Sequence, residues 1–273
     1  MAETVAPHLL VIPFPSQGHL LPLLDLCHLL STRGNLTITI VVTPGNLPIL
    51  SPLLSSSPSI SPLLLPFPSS PDLPLAAENT NQVPPNLIRR FIPALSSLLQ
   101  PILQWSQSNP NPPIAILSDF FTAGWTLRLA EILSIPRLSF SPSGAFGLAT
   151  IHHLWREMPP NSDASLIIPF PSLPNSPSFP LSQLSSLYRS YRTGDSVSES
   201  IKENFLSDIQ SWGFVVNTFS DLEGSYIEHL MNHVSGHRQR LWAVGPLVAS
   251  AIERKSHSAA KKQGMDSLGW CHE

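Results

Sequence analysis

Short apolar runs alternate with longer amphipathic stretches along most of the chain. The first run, residues 8–14, stops at Pro15-Ser16-Gln17-Gly18, and a helical pattern follows from His19 to about residue 32, with Gly34 at its close. Residues 36–43 contain Thr37-Ile38-Thr39-Ile40-Val41-Val42, a β-branched run suited to a strand buried on both faces. A short helix after Pro44-Gly45 and a weaker strand at 60–65 come next, then an aperiodic loop over 66–85. The spacing predicts a helix over 86–105, kinked or divided at Pro93 and Pro101. A buried strand at 114–117 ends in Ser118-Asp119, followed by a helix at 122–133, a strand at 137–140 and a helix at 143–158. A second Pro/Ser-rich loop covers 159–180, and 181–210 is mostly helical with a break near Gly194. A strand at 213–217, a helix at 222–234 and a last strand at 241–244 complete the pattern.

Strand–helix alternation of this kind predicts an α/β fold built on a doubly wound parallel sheet. Residues 1–247 are expected to form one domain, and 248–273, polar and without periodicity, a linker or tail.

Composition narrows the classes of function. Net charge is −3 and only 12% of residues are charged, so no basic face for nucleic acid or anionic membrane is expected. No apolar stretch approaches membrane-spanning length, and the amino terminus lacks a basic segment before its apolar run. The two cysteines, Cys27 and Cys271, make no disulfide framework, which points to the cytoplasm.

His19 stands where the first turn becomes a helix, and Asp119 closes the strand at 114–117. In a parallel sheet both positions fall on the carboxyl edge, where open α/β folds bind ligands. A carboxylate on one imidazole nitrogen fixes the tautomer and leaves the other nitrogen free as a general base. The structural alternative is that His19 only terminates the turn and Asp119 only caps the helix after it. His229, His233 and His237 share a helical spacing that can bind zinc, but no further ligand completes the set, and a solvated helix face is the simpler account. His152-His153 has the same weakness. Phe14, Phe120, Phe121, Phe140 and Phe146 fall at strand ends and helix starts, where they either line an apolar pocket for a flat ligand or fill the core. The dinucleotide fingerprint, the P-loop and the nucleophile elbow of serine hydrolases are not found in the sequence.

Phe14-Pro15-Ser16-Gln17-Gly18-His19-Leu20-Leu21-Pro22-Leu23, Val215-Val216-Asn217-Thr218-Phe219-Ser220-Asp221-Leu222-Glu223 and Leu241-Trp242-Ala243-Val244-Gly245-Pro246-Leu247 occur in this order. Together they resemble the plant UDP-dependent glycosyltransferases that act on small molecules, in particular the flavonol-type members. The resemblance implies the N-terminal, Rossmann-like domain of a glycosyltransferase B type fold. It implies His19 as the base on an acceptor hydroxyl, Asp119 as its partner, and inverting attack with neither metal nor cofactor, a UDP-sugar being the co-substrate. Gln17, Gly18, Phe120, Phe121, Ser143 and Phe146 would border the acceptor pocket, and Ser141 would contact the donor sugar. The partners implied are a small phenolic acceptor and, only with a second domain, the UDP-sugar.

The family's donor-binding signature, with its His-Cys-Gly-Trp-Asn-Ser core, does not occur in the sequence. The chain is therefore expected to be the N-terminal half, with negligible turnover by itself. The competing expectations are a non-catalytic small-molecule binding module and a truncated gene product.

Overall fold

The computed structural model describes residues 6–233 and 239–247. The first half runs β1 (His8–Ile12), α1 (Gln17–Arg33), β2 (Thr37–Val42), α2 (Leu47–Ser56), β3 (Ile60–Leu64), α3 (Pro85–Ile88), α4 (Phe91–Ala94), α5 (Leu99–Ser108) and β4 (Ala115–Asp119). It continues α6 (Ala123–Leu133), β5 (Arg137–Ser141), α7 (Ala145–Glu157), β6 (Ile167–Pro169), β7 (Ser178–Pro180), α8 (Ser186–Arg189), α9 (Ser196–Ile209), β8 (Gly213–Val216), α10 (Ser220–His233) and β9 (Arg240–Ala243). The expected tail at 248–273 lies outside the described residues.

Seven strands form one parallel sheet in the order β3-β2-β1-β4-β5-β8-β9. The chain winds outward from β1 to β3, returns across the sheet, and winds the other way from β4 to β9. Because right-handed crossovers are strongly preferred, this reversal places the two sets of helices on opposite faces. Alternation along β1 shows both faces: Leu10 and Ile12 enter one core, and Val11 the other. On the Val11 side, α1 contributes Leu20, Leu23, Leu24, Leu26 and Cys27, packed with Ile38 and Ile40 of β2. The larger core on the opposite face gathers Phe91, Ile102, Leu129, Leu148, Trp155 and Phe205 from α4, α5, α6, α7 and α9.

The predicted doubly wound sheet is the observed one, with element ends shifted by a residue or two. One expected division is met, and one region differs in kind. The helix expected over 86–105 is divided into three short helices with a 3-10 turn at Leu95–Leu98, because Pro93 and Pro101 each remove a backbone donor and crowd the carbonyl four residues back. The loop expected over 159–180 contains the antiparallel pair β6–β7, whose three-residue strands are too short to show alternation and each end in proline. Gly34 does cap α1, but in an extended conformation (φ −117°) that does not require glycine.

Burial, and secondarily the charge of Asp25, pushes the Cys27 thiol up to about 12. Since the thiolate is the reactive form, Cys27 in the folded chain should resist alkylation at pH 8 and react at the rate of a free thiol in denaturant. Mass spectrometry of iodoacetamide-treated protein checks this, and rapid labelling of folded protein would show that the α1 core is not packed as described.

Candidate active site

Ile12 lies opposite Ser118 in the β1–β4 ladder. The loop after β1 therefore leaves the sheet beside Asp119, the last residue of β4. This is the point where the strand order reverses, the crevice in which open α/β sheets bind ligands. Ser16 precedes α1 in extended conformation, and its carbonyl accepts from the His19 and Leu20 N–H groups at 3.0 and 2.7 Å. His19 thus sits in the first turn of α1, on the β4 side of the crevice.

His19 Nδ1 lies 3.1 Å from Asp119 Oδ1 and 3.0 Å from Oδ2. Phe121 N–H donates to Oδ1 at 2.8 Å, so Asp119 also caps the 3-10 turn at Phe120–Thr122. Both readings of Asp119, helix cap and histidine partner, are met by the same carboxylate. An ionised carboxylate only accepts hydrogen bonds. Nδ1 is then the donor, and Nε2 keeps its lone pair. The Asp119 side chain is fully buried, whereas that of His19 is 17% exposed, enough for its free edge to meet a ligand.

Aromatic rings fix the imidazole on its other sides. Phe120 stacks on it at 5.5 Å with an interplanar angle of 10°, and Phe121 and Phe14 lie at 4.5 and 5.3 Å. Phe120 is buried (2% exposed) behind the histidine, so Phe121, half-buried, is the one of the pair with an open face. Gln17 and Gly18 are exposed at the mouth of the crevice. Ser143 is exposed at the turn before α7. Phe146 belongs to a separate ring group with Phe179 and Tyr226. Ser141 is 1% exposed and gives its hydroxyl to the Ser143 carbonyl at 3.0 Å, so it presents no free hydroxyl to a ligand here. Phe140 is core, packed with Val11, Leu117 and Val215.

Behind Asp119 lies a buried polar stripe that sequence reasoning missed. Arg137 Nε donates to Ser118 Oγ (2.8 Å) and Thr126 Oγ1 (3.0 Å), and its terminal nitrogens reach Asp208 Oδ1 (3.2 Å), Ser211 Oγ and the Asp119 carbonyl (3.4 Å). Ser139 Oγ and His152 Nε2 lie 2.5 and 2.9 Å from the Asp208 carboxylate. Asn204, one turn before Asp208 on α9, donates to the Phe120 carbonyl at 2.8 Å and accepts from Gly124 N–H at 3.0 Å. The signal in the sequence was the pairing of two polar residues, Asn204 and Asp208, on the apolar face of a helix. At the start of α7, Glu223 accepts from the Ala145 and Phe146 N–H groups at 2.7 and 3.1 Å. A Cβ at Gly144 would collide with that carboxylate.

His152 is therefore a buried partner of Asp208, and His153 faces Ser172 Oγ at 3.2 Å and the Phe170 ring at 4.8 Å. Burial lowers the pKa of His153. Of the three helically spaced histidines, His229 is buried and His237 lies outside the described residues. No group of three or more metal-ligating side chains is assembled among the described residues. No helix among them is long and apolar enough to cross a membrane.

Taken together, this is a histidine–carboxylate pair at the switch point of a doubly wound sheet, walled by phenylalanines. Comparison with known proteins agrees with that class. No family profile matches the chain. UDP-glycosyltransferase 89B2 of Stevia rebaudiana is 48% identical over 267 residues, covering 96% of this chain and 56% of the relative. Flavonol 3-O-glucosyltransferase UGT89B1 of Arabidopsis thaliana is 48% identical over 246 residues, covering 88% and 50%. Among solved structures, Arabidopsis thaliana UGT89C1 complexed with UDP-L-rhamnose superposes with a TM-score of 0.70 at 31% identity, covering 99% of this chain and 57% of that one. The same enzyme complexed with quercetin gives 0.68 at 30% identity, covering 98% and 56%. The chain belongs to the plant UDP-glycosyltransferase family, and its sheet is that of the family's N-terminal domain. It spans about half the length of the curated relatives it matches.

Burial opposes ionisation of Asp208, but the His152 hydrogen bond, the Arg137 charge and Ser139 outweigh it and hold the carboxyl below its ordinary value of 3.8. A depressed folded value contributes stability above the unfolded value that is lost as pH falls through the folded one. Stability of the chain should therefore drop as pH falls below 3.8. Asp208→Asn should flatten that acid limb while costing about 3–5 kcal/mol at neutral pH, because Arg137 is left uncompensated. Urea unfolding as a function of pH checks both, and an unchanged acid limb would contradict the assignment.

Proposed function

We propose that this chain is the acceptor-binding half of a UDP-sugar glycosyltransferase acting on a small plant phenolic such as a flavonol, with glucose as the transferred sugar. The carrying observation is the His19–Asp119 hydrogen bond at the carboxyl edge of β1 and β4. Two relatives support the substrate class: one is named a flavonol 3-O-glucosyltransferase, and another was solved with quercetin. Residues 1–247 form the acceptor domain in this reading. Gln17, Gly18, Phe121, Ser143 and Phe146 border the acceptor, with Phe120 behind the base and Ser141 shaping the turn nearest the donor sugar. A cytoplasmic setting goes with it, Cys27 being a buried free thiol.

His19 Nε2 takes the proton of the acceptor hydroxyl as its oxygen attacks the anomeric carbon of the UDP-sugar. The bond to the diphosphate oxygen breaks, UDP carries away the electron pair, and the single displacement inverts the anomeric configuration. Asp119 holds the Nδ1 proton and stabilises the imidazolium that forms. A role in binding alone gives no reason for a buried carboxylate bonded to an imidazole that is only partly exposed.

In the full-length protein that carries this sequence, His19→Ala should lower kcat by roughly 10²–10⁴ with little change in acceptor affinity. Retention of near wild-type turnover would sink the reading. The 273-residue chain itself should quench on titration with a flavonol and show no affinity for UDP-glucose by calorimetry. Micromolar binding of UDP-glucose would contradict the division of labour.

A further inference from the structure

The catalytic reading uses His19 and Asp119 but leaves unexplained why a complete ion network is buried directly behind them. Arg137 and Asp208 are 0% exposed at their side chains, and such a pair is seldom worth more to stability than apolar residues of the same size. Its geometry gives it another role. The Arg137 guanidinium touches the last two residues of β4 at once, through the Ser118 hydroxyl and the Asp119 carbonyl. Asp208 fixes the far side of the fork and is itself held by Ser139 of β5 and His152 of α7. Asn204, on the same face of α9, grips both ends of the turn that follows Asp119. The fork therefore ties β4, β5, α6, α7 and α9 to the backbone that aims the Asp119 carboxylate. Its charge is attracted by Asp119 as well as by Asp208.

We propose that Arg137, clamped by Asp208, is a positioning residue that holds the Asp119 carboxylate on His19 Nδ1. This rests on the reading of His19 and Asp119 as a working pair. Asn204 supports the same turn from outside the ion pair. Removing Arg137 frees the end of β4 to rotate, and the carboxylate leaves the imidazole without any change at the crevice surface.

The test reads the imidazole directly in the 273-residue chain, with no need for turnover. Diethyl pyrocarbonate transfers an ethoxycarbonyl group to Nε2: the N–C bond forms, the anhydride C–O bond breaks, carbon dioxide and ethanol leave, and the Nδ1 proton goes to solvent. A carboxylate on Nδ1 favours that step by stabilising the cationic intermediate. Rates at His19 and, as a control, at His28, further along α1 and 3.3 Å from Ser57 Oγ, are followed by mass spectrometry.

Asp119→Asn should slow labelling of His19 by roughly tenfold, the weight of one charge-assisted hydrogen bond. Arg137→Met with Asp208→Asn removes both charges together and avoids leaving either buried alone. That double variant should slow His19 by the same factor and leave His28 unchanged. Adding Asp119→Asn to it should then have no further effect, because Arg137 acts through Asp119. A wild-type rate in the folded double variant, or additivity in the triple, overturns the proposal. If Asp119→Asn alone leaves His19 unchanged, the pair reading itself has failed, and Arg137 has nothing to position. Circular dichroism verifies folding. Should the double variant not fold, Arg137→Lys, which keeps the charge and loses the fork, should give an intermediate rate, and a wild-type rate there overturns the proposal equally.

Discussion

The site depends on one constraint, the parallel pairing of β4 beside β1. Without it, His19 and Asp119 are a hundred residues apart in sequence and have no reason to meet. The sheet winds away from β1 on one side and from β4 on the other, and right-handed crossovers then oblige the helices to leave on opposite faces. The carboxyl ends of those two strands are the place where neither set of helices covers the edge. A histidine at the start of the helix after β1 and an aspartate at the end of β4 are consequently brought into contact in a crevice that ligands can reach.

The surroundings of the pair divide into dry walls and a wired floor. Phe14, Phe120 and Phe121 hold the imidazole ring and keep water from its stacked face, which strengthens the single hydrogen bond at Nδ1. Beneath, Ser118, Thr126, Arg137, Ser139, Asp208 and Ser211 form a polar stripe inside an otherwise apolar core. A stripe of this kind carries a desolvation cost, tolerable because nearly every donor and acceptor in it is matched; His152 Nδ1 is the exception. What the stripe supplies is rigidity at the end of β4, where the direction of one carboxylate decides what the site can do.

The sheet could be read from the sequence because its strands are β-branched and separated by helices with regular apolar spacing; Thr37 to Val42 needs no tertiary information. His19 and Asp119 were legible for the same reason, since each follows a clear strand at its carboxyl end. The misses have local causes. The division of the 86–105 stretch was legible from Pro93 and Pro101, but β6 and β7 are three-residue strands hidden in proline-rich sequence. Arg137 escaped notice because an arginine opening a strand usually points to solvent; its burial follows from Asp208, which is close to it only in the folded sheet.

The pairing of His19 with Asp119 is tested most directly by the tautomer of the His19 imidazole, read from its two ¹⁵N shifts in the labelled chain at neutral pH and assigned with His19→Gln. A carboxylate accepting at Nδ1 requires a protonated Nδ1 and an Nε2 with the shift of an unprotonated ring nitrogen. A proton on Nε2 with Nδ1 bare would leave no base facing the crevice and would rule the pairing out.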